Sequence, residues 1–235
     1  AGEWGRIDVT PAELTVGRHG TWTVTYTTGE HAGAEGGTIR VRPYGNPLVR
    51  PPGQTVFPQE ENYVTLAGPA GVTLRLDVTV WLLVTVTVVA GKLRPGDQVH
   101  VVYGDTSAGG PGFAIRAVAH DLPFRVSVKP APESEPMALP ERPVLRLLAD
   151  APARVIVRGP SMLAGDKDLD LLVRTVDHFG NTTDGGGMAL SLPAIAGFAP
   201  ATEVRKDAGL STARLARDPS ATRRGPRRRR RGGQP

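Results

Sequence analysis

The loop at residues 104–112 is the part of the sequence whose composition best suits the binding of an anion. It reads Gly-Asp-Thr-Ser-Ala-Gly-Gly-Pro-Gly, and consecutive glycines allow backbone N–H groups to converge on a negative charge. It lacks the Gly-Lys-Ser/Thr ending of a phosphate-binding loop, and a strand rather than a helix is predicted to follow it. The favoured interpretation is a wide turn in which Asp105 caps its own backbone, with Asp105 retained as a candidate binding residue.

A series of aspartates further along the chain has part of the spacing of a calcium loop. Asp166, Asp168 and Asp170 alternate, and Asp177 follows where an EF-hand loop places its twelfth ligand. Leu171 occupies the sixth position, where that loop requires glycine, and the segment has the alternation of a strand. The pattern favours aspartates at the solvent-facing start of a strand, so no metal site is predicted.

Residues 177–181 are predicted to form a turn. Gly180 and Asn181 tolerate positive φ, and Asp177 can accept hydrogen bonds from nearby backbone N–H groups. Asn181 also begins an Asn-Thr-Thr glycosylation sequon, which matters only in a glycosylating secretory pathway.

Residues with catalytic chemistry are scattered or missing. Cysteine is absent, which excludes thiolate zinc sites and cysteine nucleophiles. No His-x-His, His-Glu-x-x-His or Gly-x-Ser-x-Gly motif occurs. The histidines are His19, His31, His100, His120 and His178. We therefore predict that the chain is not an enzyme and has no catalytic residue, metal or cofactor.

Aromatic side chains on a flat sheet face would indicate a sugar-binding surface. Trp22 lies on the apolar side of its predicted strand, whereas Trp81 lies on the polar side of a long alternating run. Trp81 is therefore a candidate binding residue. The candidates for sugar stacking are Trp4, Tyr44, Tyr63, Trp81 and Tyr103.

The positive charge is concentrated at the C-terminus. Residues 214–235 hold nine arginines and one aspartate, a net charge of +8, so that the total of +5 leaves −3 for residues 1–213. If this tail is genuine, it would bind nucleic acid or another polyanion by counterion release. The competing interpretation is a non-native segment from a shifted reading frame of a GC-rich gene. The longest run is Arg227, Arg228, Arg229, Arg230 and Arg231.

Short runs rich in valine and threonine alternate with turn formers, which include 29 glycines and 22 prolines. This pattern predicts an all-β sandwich. Residues 21–27 have the period-two alternation of a half-buried strand. Residues 72–88 also alternate, but a single straight strand of this many residues would be about 55 Å long. This is far longer than the usual strand, so a break or bulge near Trp81 is expected. Residues 98–103 and 113–118 are predicted to form a hairpin around the glycine-rich loop.

Four regions are predicted along the chain. The second module has strands predicted at residues 144–148, 154–158, 169–176 and 188–192, followed by a weak helix at 202–217. It spans only about 70 residues, against about 100 for an immunoglobulin-like sandwich, so it is predicted to be incomplete through truncation or a frame shift. The regions are a β-sandwich module (1–129), a Pro-rich linker (130–142), a partial immunoglobulin-like module (143–213) and a disordered Arg-rich tail (214–235).

The start of the sequence has neither an initiator methionine nor a signal peptide, as expected of a mature chain or a fragment. The most apolar stretch, residues 78–90, is shorter than the roughly 20 residues of a membrane helix, so no membrane partner is predicted. The cellular location stays open, with an extracellular or periplasmic one favoured.

Three segments together resemble a known bacterial family. They are Thr-Trp-Thr-Val-Thr-Tyr (21–26) with Gly-Gly-Thr-Ile-Arg-Val (36–41), Leu-Arg-Pro-Gly-Asp-Gln-Val (93–99) with Val-Tyr-Gly-Asp (102–105) and Gly-Gly-Pro-Gly (109–112), and residues 171–181. This combination is similar to the β-rich N-terminal region of the bacterial domain-of-unknown-function 3604 family. The resemblance implies a larger parent protein with a metal-dependent hydrolase part, whose histidine-rich sequence has no counterpart here.

The preferred hypothesis is thus a non-catalytic structural or accessory β-sandwich region, partnered by a downstream catalytic domain of its parent. The alternatives are a carbohydrate- or surface-binding module with a glycan partner, and polyanion binding through the arginine tail.

Overall fold

The chain is all-β. The computed structural model describes residues 2–31, 33–44, 53–79, 83–161, 167–184, 195, 197–199, 203–207 and 210–218. Among these residues there is no helix, and therefore none with the length and apolarity to cross a membrane. The chain divides into two compact units, Ala1–Ala149 and Asp150–Pro235. The all-β fold class predicted from the sequence is confirmed.

The first unit contains thirteen of the strands in the described residues, and the second contains four. Those of the first unit are β1 (Arg6–Thr10), β2 (Glu13–Thr15), β3 (His19–Gly20), β4 (Trp22–Thr27), β5 (Thr38–Pro43), β6 (Val64–Ala67), β7 (Thr73–Val78), β8 (Val84–Ala90), β9 (Gln98–Tyr103), β10 (Phe113–Ala114), β11 (His120–Lys129), β12 (Met137–Ala138) and β13 (Val144–Leu148). Those of the second unit are β14 (Arg154–Arg158), β15 (Leu169–Val176), β16 (Glu203–Asp207) and β17 (Leu210–Leu215).

The first unit is a β-sandwich. One sheet has the order β1-β4-β9-β6, and the other has the order β2-β13-β11-β5-β8-β7, with β12 also paired to β11. A two-stranded pair, β10-β3, lies beside them. The strands alternate as predicted: in β4, Trp22, Val24 and Tyr26 are buried while Thr23 and Thr25 are half-buried. Both sheets contribute their apolar faces to one shared core, which is what period-two patterning requires.

The long alternating run folds back on itself as an antiparallel hairpin of β7 and β8. The Thr79 N–H donates to the Leu83 carbonyl at 2.9 Å, which brings the two strands together at the turn. The predicted break near position 81 is confirmed, although Trp81 itself lies outside the described residues.

The structure places the end of the first unit later than the sequence boundary at residue 129. Met137–Ala138 and Val144–Leu148, predicted to be linker and second module, both run antiparallel to β11. Val144–Leu148 also pairs in parallel with Glu13–Thr15. The reason is burial, because Leu139, Leu145 and Leu147 contribute to the core of the first unit. Pro140 and Pro143 separate Met137–Ala138 from Val144–Leu148, but both strands still pair with β11.

The hairpin predicted at residues 98–103 and 113–118 does not form. Both edges of β9 are occupied, by β4 and by β6, and β10 pairs instead with His19–Gly20. The glycine-rich loop therefore connects two different sheets. The prediction that residues 113–118 pair with the preceding strand is wrong.

The second unit contains one four-stranded sheet in its described part, with the order β14-β15-β17-β16. Leu171, Ala213 and Leu215 form its small buried cluster. The weak helix predicted at residues 202–217 is wrong, because Glu203–Asp207 and Leu210–Leu215 form an antiparallel hairpin. Alternate residues of β17 are buried, which suits a period of two rather than 3.6. The strand predicted at 188–192 and the tail at 219–235 lie outside the described residues.

Candidate functional site

Asp105, the candidate from the glycine-rich loop, is held by its own neighbourhood. Its Oδ2 accepts a hydrogen bond from the Thr65 hydroxyl at 2.6 Å, and its Oδ1 accepts one from the Ser107 N–H at 2.8 Å. These bonds, that from Thr65 first, lower the pKa of Asp105 below its ordinary value. The carboxylate therefore caps the loop and links it to β6, as the turn interpretation predicts.

Asn62 anchors the same loop from the neighbouring segment, and sequence analysis missed it. Its side chain is buried, and its backbone has a φ of 65°. The Asn62 N–H donates to the Gly112 carbonyl at 2.9 Å, and its side-chain Oδ1 accepts from the Ala114 N–H at 2.9 Å. Asparagine tolerates this left-handed conformation better than other residues with a side chain. An asparagine two residues before the start of β6 was the signal that could have revealed it.

Close packing explains two glycines of the loop, Gly104 and Gly110. Gly104 has a positive φ, and a Cβ at this position would collide with the backbone of Phe113 and Gly20. A Cβ at Gly110 would lie 2.8 Å from the Pro58 carbonyl oxygen. The glycines thus permit close approach between chain segments, which accounts for them without a bound anion.

Asp177 is the most heavily hydrogen-bonded carboxylate among the described residues, and it is fully buried. Its Oδ1 accepts from the N–H groups of Phe179 and Asn181, at 2.9 and 2.8 Å. Its Oδ2 accepts from the Asn181 side-chain amide at 2.8 Å and the Asp150 N–H at 3.1 Å. Burial acts to raise the pKa of Asp177, but these hydrogen bonds outweigh burial and hold it below the ordinary value. The predicted turn is therefore an ionised, fully satisfied cap.

Two of the alternating aspartates bond arginines on or just after the neighbouring strand β17. Asp170 accepts two hydrogen bonds from the Arg214 guanidinium, at 2.8 and 3.2 Å, and these lower its pKa. Asp168 accepts a hydrogen bond from the Arg217 N–H at 3.0 Å. Asp166 lies outside the described residues. In the part of the chain that the structure describes, no three His, Asp or Glu side chains are placed to share a metal ion.

The histidines near the surface form separate pairs. His19 lies 3.2 Å from Glu61, and His31 lies 2.7 Å from Glu3. Trp4, a candidate for sugar stacking, instead packs against the His31 ring, with the centroids 4.4 Å apart.

The other aromatic candidates differ in exposure. Tyr103 is fully buried and stacks on Trp22, with the ring centroids 4.8 Å apart. Burial also raises the pKa of Tyr103 far above its ordinary value, so it is a core residue rather than a binding platform. Tyr63 is half-buried, whereas Tyr44 is 50% exposed. Trp81, the leading candidate from the sequence, lies outside the described residues.

Tyr44 borders a cluster of arginines that sequence analysis did not single out. Arg40 and Arg42 project from the outer face of β5, and Arg125 projects from β11 directly opposite Arg42. The Arg125 guanidinium carbon lies 3.6 Å from the centre of the Tyr44 ring. The three arginines line a shallow groove of about 260 Å³, and its other lining residues are Leu83, Val126, Ser127 and Ala138. We call Arg40, Arg42, Arg125 and Tyr44 the arginine face. Only strand pairing brings Arg125 beside the other three residues, since it lies about 80 positions further along the sequence.

Comparison with known proteins identifies no family. No family model and no curated protein matches the sequence. Among 31 similar solved chains is AvmM, which catalyses macrocyclization in alchivemycin A biosynthesis, at 11% identity over 65% of this chain and 93% of that chain (TM-score 0.31). The 35 kDa C-terminal fragment of the Streptococcus agalactiae major pilin GBS80 is 10% identical over 91% and 79% (TM-score 0.35). Domains 4–9 of the surface-layer protein SbsC are 12% identical over 92% and 27% (TM-score 0.25). Similarity this distant bears on neither function nor site.

Proposed function

We propose that the chain is a non-catalytic structural and accessory β-sandwich region, which supports and positions a downstream catalytic domain in a larger bacterial protein. One observation carries the proposal: two of the best hydrogen-bonded carboxylates of the described residues, Asp105 and Asp177, stabilise turns. Both oxygens of Asp105 and both oxygens of Asp177 accept hydrogen bonds from nearby groups of the chain. A general base needs a free lone pair that faces a substrate, and these carboxylates are committed to the loops.

The way in which the first unit is closed also suits a supporting role. The Val16 N–H donates to the Leu148 carbonyl at 3.0 Å, and Arg146 bonds Glu13 at 2.9 Å. The early segment and the last strand of the unit are therefore adjacent strands of one sheet. Such a unit holds its incoming and outgoing chain at a fixed spacing, which is what a positioning module requires.

The test begins with the coding DNA from about codon 195 onward. We expect a corrected or extended reading frame to encode further strands and then a histidine-rich domain. The extended protein is then compared with a version that lacks residues 1–149. We expect deletion to lower the thermal stability of the remainder, while turnover per folded molecule is retained.

A separate assay addresses catalysis by the chain itself. The purified 235-residue protein is incubated with phosphoester, ester and peptide substrates, with and without added Zn²⁺ or Mn²⁺. We expect no turnover above that of a heat-denatured sample. Turnover that is lost in the D105N or D177N variant, while the variant stays folded, would refute the non-catalytic proposal.

A further inference from the structure

The arginine face carries a concentration of positive charge that the first unit does not share as a whole. Residues 1–149 contain 13 Lys and Arg against 14 Asp and Glu, a net charge of −1. Arg40, Arg42 and Arg125 are nevertheless exposed together on one side of one sheet. Positions two apart on a strand are about 6.6 Å apart, and facing positions on paired strands have Cβ atoms about 5 Å apart. Three cations thus share an area comparable to a single sugar ring and its substituents.

None of the described carboxylates serves as a counter-ion to these arginines. Within the described residues, no carboxylate lies at ion-pairing distance from any of the three guanidinium groups. The carboxylates on the same face already have partners: Asp77 bonds Arg75 at 3.1 Å, and Asp121 lies 3.6 Å from Arg146. Arg42 stands directly opposite Arg125, and like charges in that position destabilise a sheet. A bound anion would relieve this repulsion.

The groove beside the arginines has the character of a ligand site. Leu83 and Ala138 give it apolar surface, and Ser127, opposite Arg40, adds a hydroxyl at its edge. The guanidinium fork binds a carboxylate or sulfate through two parallel hydrogen bonds. Tyr44 is half-exposed, and its Arg125-stacked ring contributes an aromatic face against which the C–H bonds of a sugar ring can pack. The neighbouring strands fix the backbone positions of all four residues of the arginine face.

We propose that the arginine face binds an acidic oligosaccharide, with Arg40, Arg42 and Arg125 holding its carboxylate or sulfate groups and Tyr44 packing on a sugar ring. Charge favours this ligand over nucleic acid. Duplex binding relies on many phosphate contacts, about six to ten in strongly salt-dependent complexes, whereas this face offers three cations on a unit of net charge −1. An oligosaccharide that carries a few acidic groups along its sugar rings matches the three guanidinium groups and the exposed Tyr44 ring of the arginine face.

Affinity electrophoresis of the full chain tests the proposal. Native gels contain either polygalacturonate or its fully methyl-esterified form, which keeps the same sugar rings without the charge. We expect polygalacturonate to retard the protein and the ester to have little effect. Retardation that is equal in both gels would overturn the role of the arginines.

The site variant is R40Q/R42Q/R125Q, and K92Q/R94Q/R142Q is the matched control. Lys92, Arg94 and Arg142 are exposed, so both variants lose three positive charges and retain the C-terminal tail. We expect the apparent dissociation constant for polygalacturonate to rise about tenfold or more in the site variant only. Equal weakening in both variants would assign binding to bulk charge or to the tail and overturn the proposal.

Two further measurements separate the ligand classes. We expect Y44A, in which only the aromatic face is removed, to weaken polygalacturonate binding while its melting temperature stays near that of the parent. An unchanged affinity in Y44A would overturn the stacking role. A single-stranded oligodeoxynucleotide that binds more tightly than polygalacturonate, and loses affinity in the site variant but not in the control, would replace the acidic glycan by nucleic acid.

Discussion

At the scale of single residues, the two most deeply buried side chains with carboxylate or amide groups in the described part of the chain, Asp177 and Asn62, stabilise turns. Asp177 illustrates this, because a fully buried carboxylate would be costly without partners, and it has four donors within 3.1 Å. The sequence predicts that Asp177 caps its own turn, and the structure shows these hydrogen bonds.

The D177N substitution tests the contribution of these hydrogen bonds to stability. It keeps the shape of the side chain but replaces one acceptor oxygen by an NH₂ group. This donor then faces N–H groups that are themselves donors. We expect it to destabilise the second unit by about 2–3 kcal/mol, the cost of leaving buried groups unsatisfied. Amide hydrogen exchange of residues 169–176, followed against denaturant, measures the loss. The exposed pair of Asp170 and Arg214 provides the control, and a D170N effect as large as that of D177N would contradict the argument.

Asn62 supports a sharper test, because its backbone and its side chain have separable roles. N62D keeps an acceptor, N62G suits the φ of 65° without the acceptor, and N62A satisfies neither requirement. We expect stability to fall in the order wild type, N62D, N62G and N62A, with N62A lower by about 2–3 kcal/mol. Chemical denaturation followed by tryptophan fluorescence gives the order. If N62A were as stable as N62G, the left-handed conformation would carry no cost.

At the scale of elements, the strand Val144–Leu148 decides where the first unit ends. Leu145 is fully buried in the core of that unit, so L145A should destabilise it by about 2–5 kcal/mol. The only tryptophans are Trp4, Trp22 and Trp81, all in the first unit, so their fluorescence reports on it alone. We expect L145A to lower the denaturant midpoint of that signal, and V144A, at a 39% exposed position, to leave it nearly unchanged. An unaltered tryptophan transition in L145A would contradict the assignment of this strand to the first unit.

Sequence patterning predicted elements better than it predicted their partners. The alternation at residues 21–27 and 72–88 reports which face of a strand is apolar, and the structure follows it in β4, β7 and β8. Pairing depends on long-range geometry, so Phe113–Ala114 was assigned to the wrong neighbour and Val144–Leu148 to the wrong module. The weak helix predicted at 202–217 is wrong because the strand alternation, buried at every second residue of β17, was not identified there.

The same distinction explains the candidate sites. Asp105 and Asp177 were identifiable because a cap and its turn are local in sequence. The arginine face was not, since Arg42 and Arg125 become neighbours only through the pairing of β5 with β11. Nothing in the spacing of two isolated arginines predicts that contact.

At the scale of the whole molecule, the described groups with shifted pKa values limit stability at both ends of the pH range. Asp105, Asp170 and Asp177 have lowered pKa values. The stability that they contribute is therefore present above the ordinary carboxyl pKa and is lost as the pH falls through their folded-state values. Both units contain such groups, so acid should weaken both.

The alkaline limit should belong to the first unit, because all four tyrosines lie in it. Burial raises the pKa of Tyr26 to about 12 and that of Tyr103 further still. A raised tyrosine pKa means that folding favours the neutral phenol, so this stability is intact below pH 10 and declines above it. We expect the denaturant midpoint of tryptophan fluorescence to fall between pH 10 and 12, while exchange protection of the second unit changes less. Y26F removes one of the titrating groups and should flatten the decline, whereas Y44F, at an exposed position, should not. A decline that is equally steep in Y26F and the parent would show that other groups set the alkaline limit.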